Sequence, residues 1–389
     1  MRVDSLLQIV LPYVEVIRES IVRIVELGLS RVHHEFVSVA LASVIILFAA
    51  MISLKVEVTS AILEISFGAI AATLGFAPSH SLHTLSSMGA VLLMFIAGSE
   101  IDVKLLQKYG LKCLVIGMIS FTAPMIIITM LLHYSGHEIA QAVLIATALS
   151  TTSVAIVYSF IDQANLRGTK LGVIMIASAM VADVLSMVTL TVIFIGANIA
   201  TALYVLIILA ILYLPRIFKR VAGLRYEFEL KFIVMVLISL AILSEFLGVH
   251  AILTAFILGM FISEIFREHR ILEAKIRGLA LGFLTPFFFF VAGTNINLTK
   301  IFDYTEIALL YTALSIMLKY IFTAIPMAFY AKIKSSKMPM IFAARLTLST
   351  IAAITGLNQG IISADIYSSI LISSLLSTMI VAVILNKNE

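Results

Sequence analysis

From Leu171 to Leu214 the chain runs for 44 residues with a single charged side chain, Asp183. About 20 predominantly apolar residues cross the hydrocarbon of a bilayer as a helix, so a run of this length makes two spans. Gly196-Ala197-Asn198 is where it turns back. Similar runs recur along nearly the whole sequence, which is 61% hydrophobic and 12% charged. Soluble domains are about 45–50% apolar and about 25% charged, so the solvent of this chain is lipid. The ten-residue alternating segments of an outer-membrane barrel are absent, which leaves an all-α polytopic membrane protein. Its one cysteine, Cys113, supports neither a disulfide framework nor a thiolate cluster.

Reading the apolar runs against their breakers gives about thirteen transmembrane helices, at 36–54, 58–76, 84–99, 110–132, 138–161, 170–196, 199–215, 230–247, 249–266, 279–293, 306–331, 340–360 and 363–386. Residues 1–35 differ, because Glu15, Glu19, Arg23 and Glu26 recur at helical spacing opposite Leu, Ile and Val. That pattern predicts an amphipathic N-terminal segment lying at the interface, with an additional span there as the alternative. Lys104, Lys108, Lys112, Arg216, Lys219, Arg220, Arg270, Lys275, Arg277 and Lys337 all follow odd-numbered spans, whereas loops after even-numbered spans hold only Lys300. The positive-inside rule then predicts a cytoplasmic C-terminus and an N-terminal segment outside the cell membrane.

Three stretches recur in order. "FIAGSEIDV" from Phe95 matches "FVAGTNINL" from Phe290, an offset of 195. "LSTTSVA" from Leu149 matches "LTLSTIA" from Leu346 at 197, and "AIL" at Ala61 matches "AIL" at Ala251 at 190. The matches pair spans seven apart, an odd number, so the copies (58–196 and 249–386) are expected to cross the membrane in opposite directions. Such inverted repeats are a signature of secondary transporters, whose site lies near the midplane where broken helices meet. "TALSTTSVA" and "RLTLSTIAAITG" are crowded with hydroxyl residues where a plain span would use Leu and Val, and are expected to be those broken helices.

Asp183 sits at the centre of its span, where a carboxylate costs roughly 2.5–3.5 kcal/mol even on insertion scales. Removing it from water disfavours the charged form unless a cation replaces the lost hydration, which makes it a natural place for a proton and a metal cation to exclude each other. Lys319 is equally central in the eleventh span and is expected to compensate charge there. Glu64 in the second span and Ser349 and Thr350 in the twelfth are candidates for the ion pathway. Arg345 reads as interfacial, and Glu100 and Asp102 as a solvated helix end. The chain holds no Walker A, HExxH or G-x-S-x-G motif, so no enzyme activity, cofactor or nucleic-acid partner is expected.

"MGAVLLMFIAGSEIDVKLL", "ALSTTSVAIV", the sixth-span Asp183 and the eleventh-span Lys319 together resemble the cation:proton antiporter-2 family. That family includes Na+/H+ antiporters and glutathione-gated K+ efflux systems, and the resemblance covers residues 36–386. It implies a six-helix core with two crossed discontinuous helices, a separate dimerisation domain, a homodimer and elevator-type alternating access. It also implies that Asp183 binds Na+ (Li+ and K+ are alternatives) in exchange for H+, with oxygens from Thr151, Thr152 and Ser153 nearby. The sequence departs from the family in carrying Ala182-Asp183 where relatives usually have Asp-Asp, Asn-Asp or Gln-Asp, so the expected partner of Lys319 is missing. It also has Ser349-Thr350 in place of an Arg-Gly-Glu-like turn. The chain ends directly after the last span, so no C-terminal regulatory domain is expected.

Overall fold

A computed structural model describes residues 31–56, 59–100, 103–163, 166, 169–194, 227–246, 251–332 and 337–386. The expected N-terminal interfacial helix, the seventh span at 199–215 and the 196–198 turn lie outside these residues. Every regular element among the described residues is helical. In chain order they are α1 Arg31–Val56, α2 Ser60–Thr73, α3 His80–Ser99, α4 Val103–Tyr134, α5 Ile139–Ser150, α6 Val154–Gln163 and α7 Lys170–Phe194. These are followed by α8 Phe228–Phe246, α9 Ala251–Glu268, α10 Arg270–Leu279, α11 Thr285–Thr294, α12 Ile301–Pro326, α13 Met338–Ile341, α14 Thr347–Asn358 and α15 Ala364–Asn386. A π-helical turn, Ala280–Leu284, joins α10 to α11.

Seven stretches are long and apolar enough to cross a membrane, among them Gly110–Tyr134, Lys170–Ile193 and Ala364–Ile384. Five of them end within about four residues of the expected spans, whereas Arg270–Thr294 and Leu298–Ala331 begin nine and eight residues before the expected starts at 279 and 306. The helix spanning 103–134 is two helices meeting at Gly110, whose φ of 28° lies where a side chain is strained. The expected spans at 138–161 and 340–360 are each interrupted, as α5–α6 and α13–α14.

The described chain forms two units. One comprises residues up to 89 together with 283–301, and the other comprises 90–282 and 302 onward. In the first, α2 crosses α11 at backbone contact. A Cβ on Gly68 would collide with the Phe290 carbonyl, and one on Gly293 with the Ile65 carbonyl. Small residues at a crossing let two helix backbones approach where lipid supplies no hydrophobic drive. Phe76 packs edge-on against Phe290 beside this crossing, with ring centroids 5.5 Å apart.

The second unit contains a counterpart. A Cβ on Gly98 of α3 would meet the Phe256 carbonyl of α9, and one on Gly259 would meet the Phe95 carbonyl. Nearby, Gly117 of α4 lets the helix approach the Ser178 carbonyl and Val181 of α7. That close approach places α7, and with it Asp183, against the interior of the unit. The interrupted pair α5–α6 and α13–α14 belongs to the same unit.

Candidate functional site

The site is built where helices stop. α5 ends at Ser150, and Thr151 is extended, with φ −65° and ψ 163°. The chain resumes helix at Val154. The second interruption covers residues 342–346, between α13 and α14. Unwound backbone at membrane depth needs partners for its freed N–H and C=O groups. Here the two interruptions supply them to each other. The Ser153 N–H donates to the Ala344 carbonyl at 2.8 Å, and the Thr152 hydroxyl donates to the Phe342 carbonyl at 3.1 Å.

Lys319 of α12, fully buried, is tied into this junction. Its Nζ donates to the Thr152 hydroxyl at 2.7 Å and to the Ser120 carbonyl at 3.1 Å. The second bond has a local cause. The carbonyl of Ser120 would normally accept from residue 124, but that residue is Pro124 and has no N–H. The ammonium takes the place of the missing donor. Among the described residues no carboxylate lies within ion-pair distance of Lys319, so its charge is answered by oxygen dipoles, including the carbonyl end of α13 reached through Thr152.

Asp183 has different surroundings. It is only 7% exposed, and its Oδ1 has no hydrogen-bond partner. It lines a cavity of about 110 Å3 together with Thr152, Ser153, Val154, Thr347 and Leu348, and with Glu100 and Arg277. Val154 and Thr347 are the first residues of α6 and α14. Two helix N-termini therefore border the cavity that Asp183 lines, each end carrying roughly half a positive charge. A cation entering this cavity would find the side chains of Asp183, Thr152, Ser153 and Thr347 set in a lining that is otherwise mostly apolar. Oxygen groups of these kinds suit a hard cation. Among the described residues no three His, Cys, Asp or Glu side chains come together.

Of the residues singled out from the sequence, Asp183, Thr152 and Ser153 thus meet at one cavity, with Lys319 directly behind Thr152. Thr151 is buried but bonds back to the Ala148 carbonyl at 3.2 Å, and it is not among the cavity's lining residues. Ser349 pairs with Ser374 of α15 at 2.6 Å, and the buried Thr350 hydroxyl has no partner. Glu64 is buried in α2, within the other unit. Arg345, expected at the interface, is instead fully buried. It donates from Nη2 to the Ser373 hydroxyl at 2.6 Å, and its Nε and Nη1 have no partner. Glu100, read as a solvated helix end, is ion-paired with Arg277 at 2.8 Å. Asp102 lies outside the described residues.

The sequence reading missed three features. One is the Glu100–Arg277 pair, whose members are 177 residues apart. Another is the hydroxyl-rich face of α15, where Ser373, Ser374, Ser377 and Thr378 are all buried around Arg345 and Ser349. The third is the use of Lys319 to satisfy the Ser120 carbonyl. A proline four residues after a carbonyl in an apolar run was the available signal for that one.

Comparison with known proteins identifies the family. The model of the family described as "Sodium/hydrogen exchanger, transmembrane" matches residues 40–387. A probable Na+/H+ antiporter 3 of Methanocaldococcus jannaschii is 27% identical over 78% of this chain and 83% of its own length. The Na+/H+-K+ antiporter GerN of Bacillus cereus is 27% identical over 79% of this chain and 84% of its own. The sodium proton antiporter MjNhaP1 of Methanocaldococcus jannaschii superimposes with a TM-score of 0.66 at 16% identity, covering 91% of this chain and 95% of that one. The described helices thus share the fold of a solved antiporter. The chain is a member of the sodium/hydrogen exchanger family, an integral membrane cation/proton transporter and not an enzyme.

Proposed function

We propose that this protein exchanges Na+ for H+ across the cell membrane, with the two ions competing for Asp183. The observation that carries this reading is the buried Asp183 Oδ1, left without a hydrogen-bond partner in a residue that lines a largely apolar cavity. Leaving a buried acceptor unpaired costs about 1–3 kcal/mol, and a group left so by the protein is available to a ligand. The cation is held by the carboxylate with oxygens from Ser153 and Thr152, and as it leaves a proton from the water on that side takes its place on Asp183. Thr151, Ser349, Thr350 and Glu64 are assigned to the surrounding path rather than to direct coordination. K+ is the second cation to test, because one similar protein is named for Na+, H+ and K+ together.

The architecture proposed for this exchange is about thirteen spans in two inverted repeats, working by an elevator movement in a homodimer with a cytoplasmic C-terminus. Two observations support the inversion. The two helix interruptions fall at matched repeat positions. The two glycine crossings also correspond: Ile65 and Gly68 match Phe256 and Gly259 at an offset of 191, and Phe95 and Gly98 match Phe290 and Gly293 at 195. Each crossing therefore joins a helix of one copy to a helix of the other, as two interlocked repeats would.

The test is exchange in proteoliposomes, read by a ΔpH-sensitive dye while Na+, Li+ and K+ are added in turn. Na+ is expected to dissipate the gradient with saturation, and the Asp183→Asn protein to give none. Equal transport by Asp183→Asn contradicts the proposal.

A further inference from the structure

The cavity at Asp183 has two ends of different character. Asp183 retains 7% of its exposure, whereas the Arg277 and Glu100 side chains retain 38% and 27%. Both belong to the same cavity lining. The end of the cavity lined by Glu100 and Arg277 is thus the more exposed one.

Among the described residues, Glu100 is the only carboxylate besides Asp183 in that lining. It follows the last residue of α3 and is occupied by the Arg277 guanidinium of α10, Nη1 to Oε1 at 2.8 Å. Arg277 Nη2 also reaches Glu273 Oε1 at 3.4 Å, and Glu273 in turn takes Arg270 Nη1 at 3.0 Å. The guanidinium thus has a second carboxylate one helical turn away, on its own helix. It can let go of Glu100 and remain paired, which makes the mouth of the cavity switchable between two charge states. With Arg277 on Glu100, the mouth presents a neutral pair. With Arg277 on Glu273, it presents a free carboxylate to the entering ion.

We propose that the Glu100–Arg277 ion pair is the gate of the cation path, with Arg277 acting as a tethered competitor that an incoming cation must displace from Glu100 before it reaches Asp183. This rests on the reading of Asp183 as the exchange site. It makes Arg277 and Glu100 determinants of apparent affinity rather than of the exchange step itself.

The experiment measures KM and kcat for Na+ in proteoliposomes for Arg277→Gln and Glu100→Gln, with Asp183→Asn alongside. Removing the competitor is expected to lower KM for Na+, and removing the outer carboxylate to raise it, each by about three- to tenfold, the scale of one unit charge acting through partly solvated protein. Arg277→Lys keeps the charge without the two-pronged donor and should give a KM between the parent and Arg277→Gln. A pair that only fastens α10 would lower thermal stability in both variants and leave KM unmoved, or move it the same way in both. Either result overturns the gate, as does loss of all exchange in both. If Asp183→Asn is inactive while the rim variants keep the parent's KM, the gate fails and the site stands. If Asp183→Asn transports, the site reading itself fails.

Discussion

Asp183 and Lys319 are the same kind of residue by sequence, each a lone charge at the centre of an apolar span, yet the fold treats them in opposite ways. Lys319 is tied into the protein: one bond goes to the Ser120 carbonyl freed by Pro124, the other to the Thr152 hydroxyl at the first helix interruption. Asp183 is left unfinished, with one oxygen unpartnered and a cavity in front of it. A charge bonded to a carbonyl that the fold would otherwise strand holds structure together, whereas a carboxylate oxygen left without a donor is open to a ligand. Depth in the membrane alone does not separate these roles. The hydrogen-bond inventory does.

The largest expected effect on function follows from the open side of this comparison. Asp183→Asn keeps the shape and removes the exchangeable charge, so Na+-driven proton movement should fall to background. The protein should remain folded, with a melting temperature equal to the parent's or higher, because a neutral amide is cheaper to bury than a carboxylate. Size-exclusion chromatography and a thermal melt in detergent check the second half.

The closed side predicts the reverse pattern. Lys319→Met should destabilise the protein by about 1–3 kcal/mol, because it strands the Ser120 carbonyl and a contact to Thr152. Measurable exchange should survive in the folded fraction. The cause can be isolated further. Pro124→Ala restores an N–H four residues after Ser120, so adding it to Lys319→Met should recover about 1 kcal/mol. If Lys319→Met is fully stable but inactive, the lysine belongs to the ion site and the contrast with Asp183 collapses.

Ser153→Ala probes the boundary between the two. Ser153 lines the cavity while its backbone N–H ties the two interruptions together. Only the side chain is lost, so KM for Na+ should rise a few-fold with little change in melting temperature. The smallest expected effect concerns voltage. With one carboxylate for exchange and Lys319 held in its bonds, one proton should move against one Na+. Clamping the potential with K+ and valinomycin should then leave the rate nearly unchanged. Moving a net charge across 100 mV would be worth about 2.3 kcal/mol, so a steep voltage dependence would mean that a second proton is carried.

Much of this was legible from residue patterns. The helix ends at Lys170 and Asn386 and the loss of helix at 151–153 followed from apolar length and from hydroxyl residues placed where Leu or Val would serve a plain span. Asp183 announced itself by isolation. What stayed hidden depends on partners far apart in sequence. Glu100 and Arg277 each look like ordinary loop charges until folding brings α3 and α10 together. Arg345 looks interfacial because it lies at the edge of an apolar run, and only the hydroxyls of α15 explain how it can be buried. The seventh span and the N-terminal helix rest on the sequence reading alone.

The most direct test of the central claim is the pH dependence of KM for Na+ measured with Vmax in the same proteoliposomes. If a proton and Na+ exclude each other at Asp183, lowering the pH should raise KM, approaching tenfold per pH unit once the proton dominates, while Vmax at saturating Na+ stays constant. A KM that holds steady while Vmax falls with pH would place the proton elsewhere and contradict the shared site.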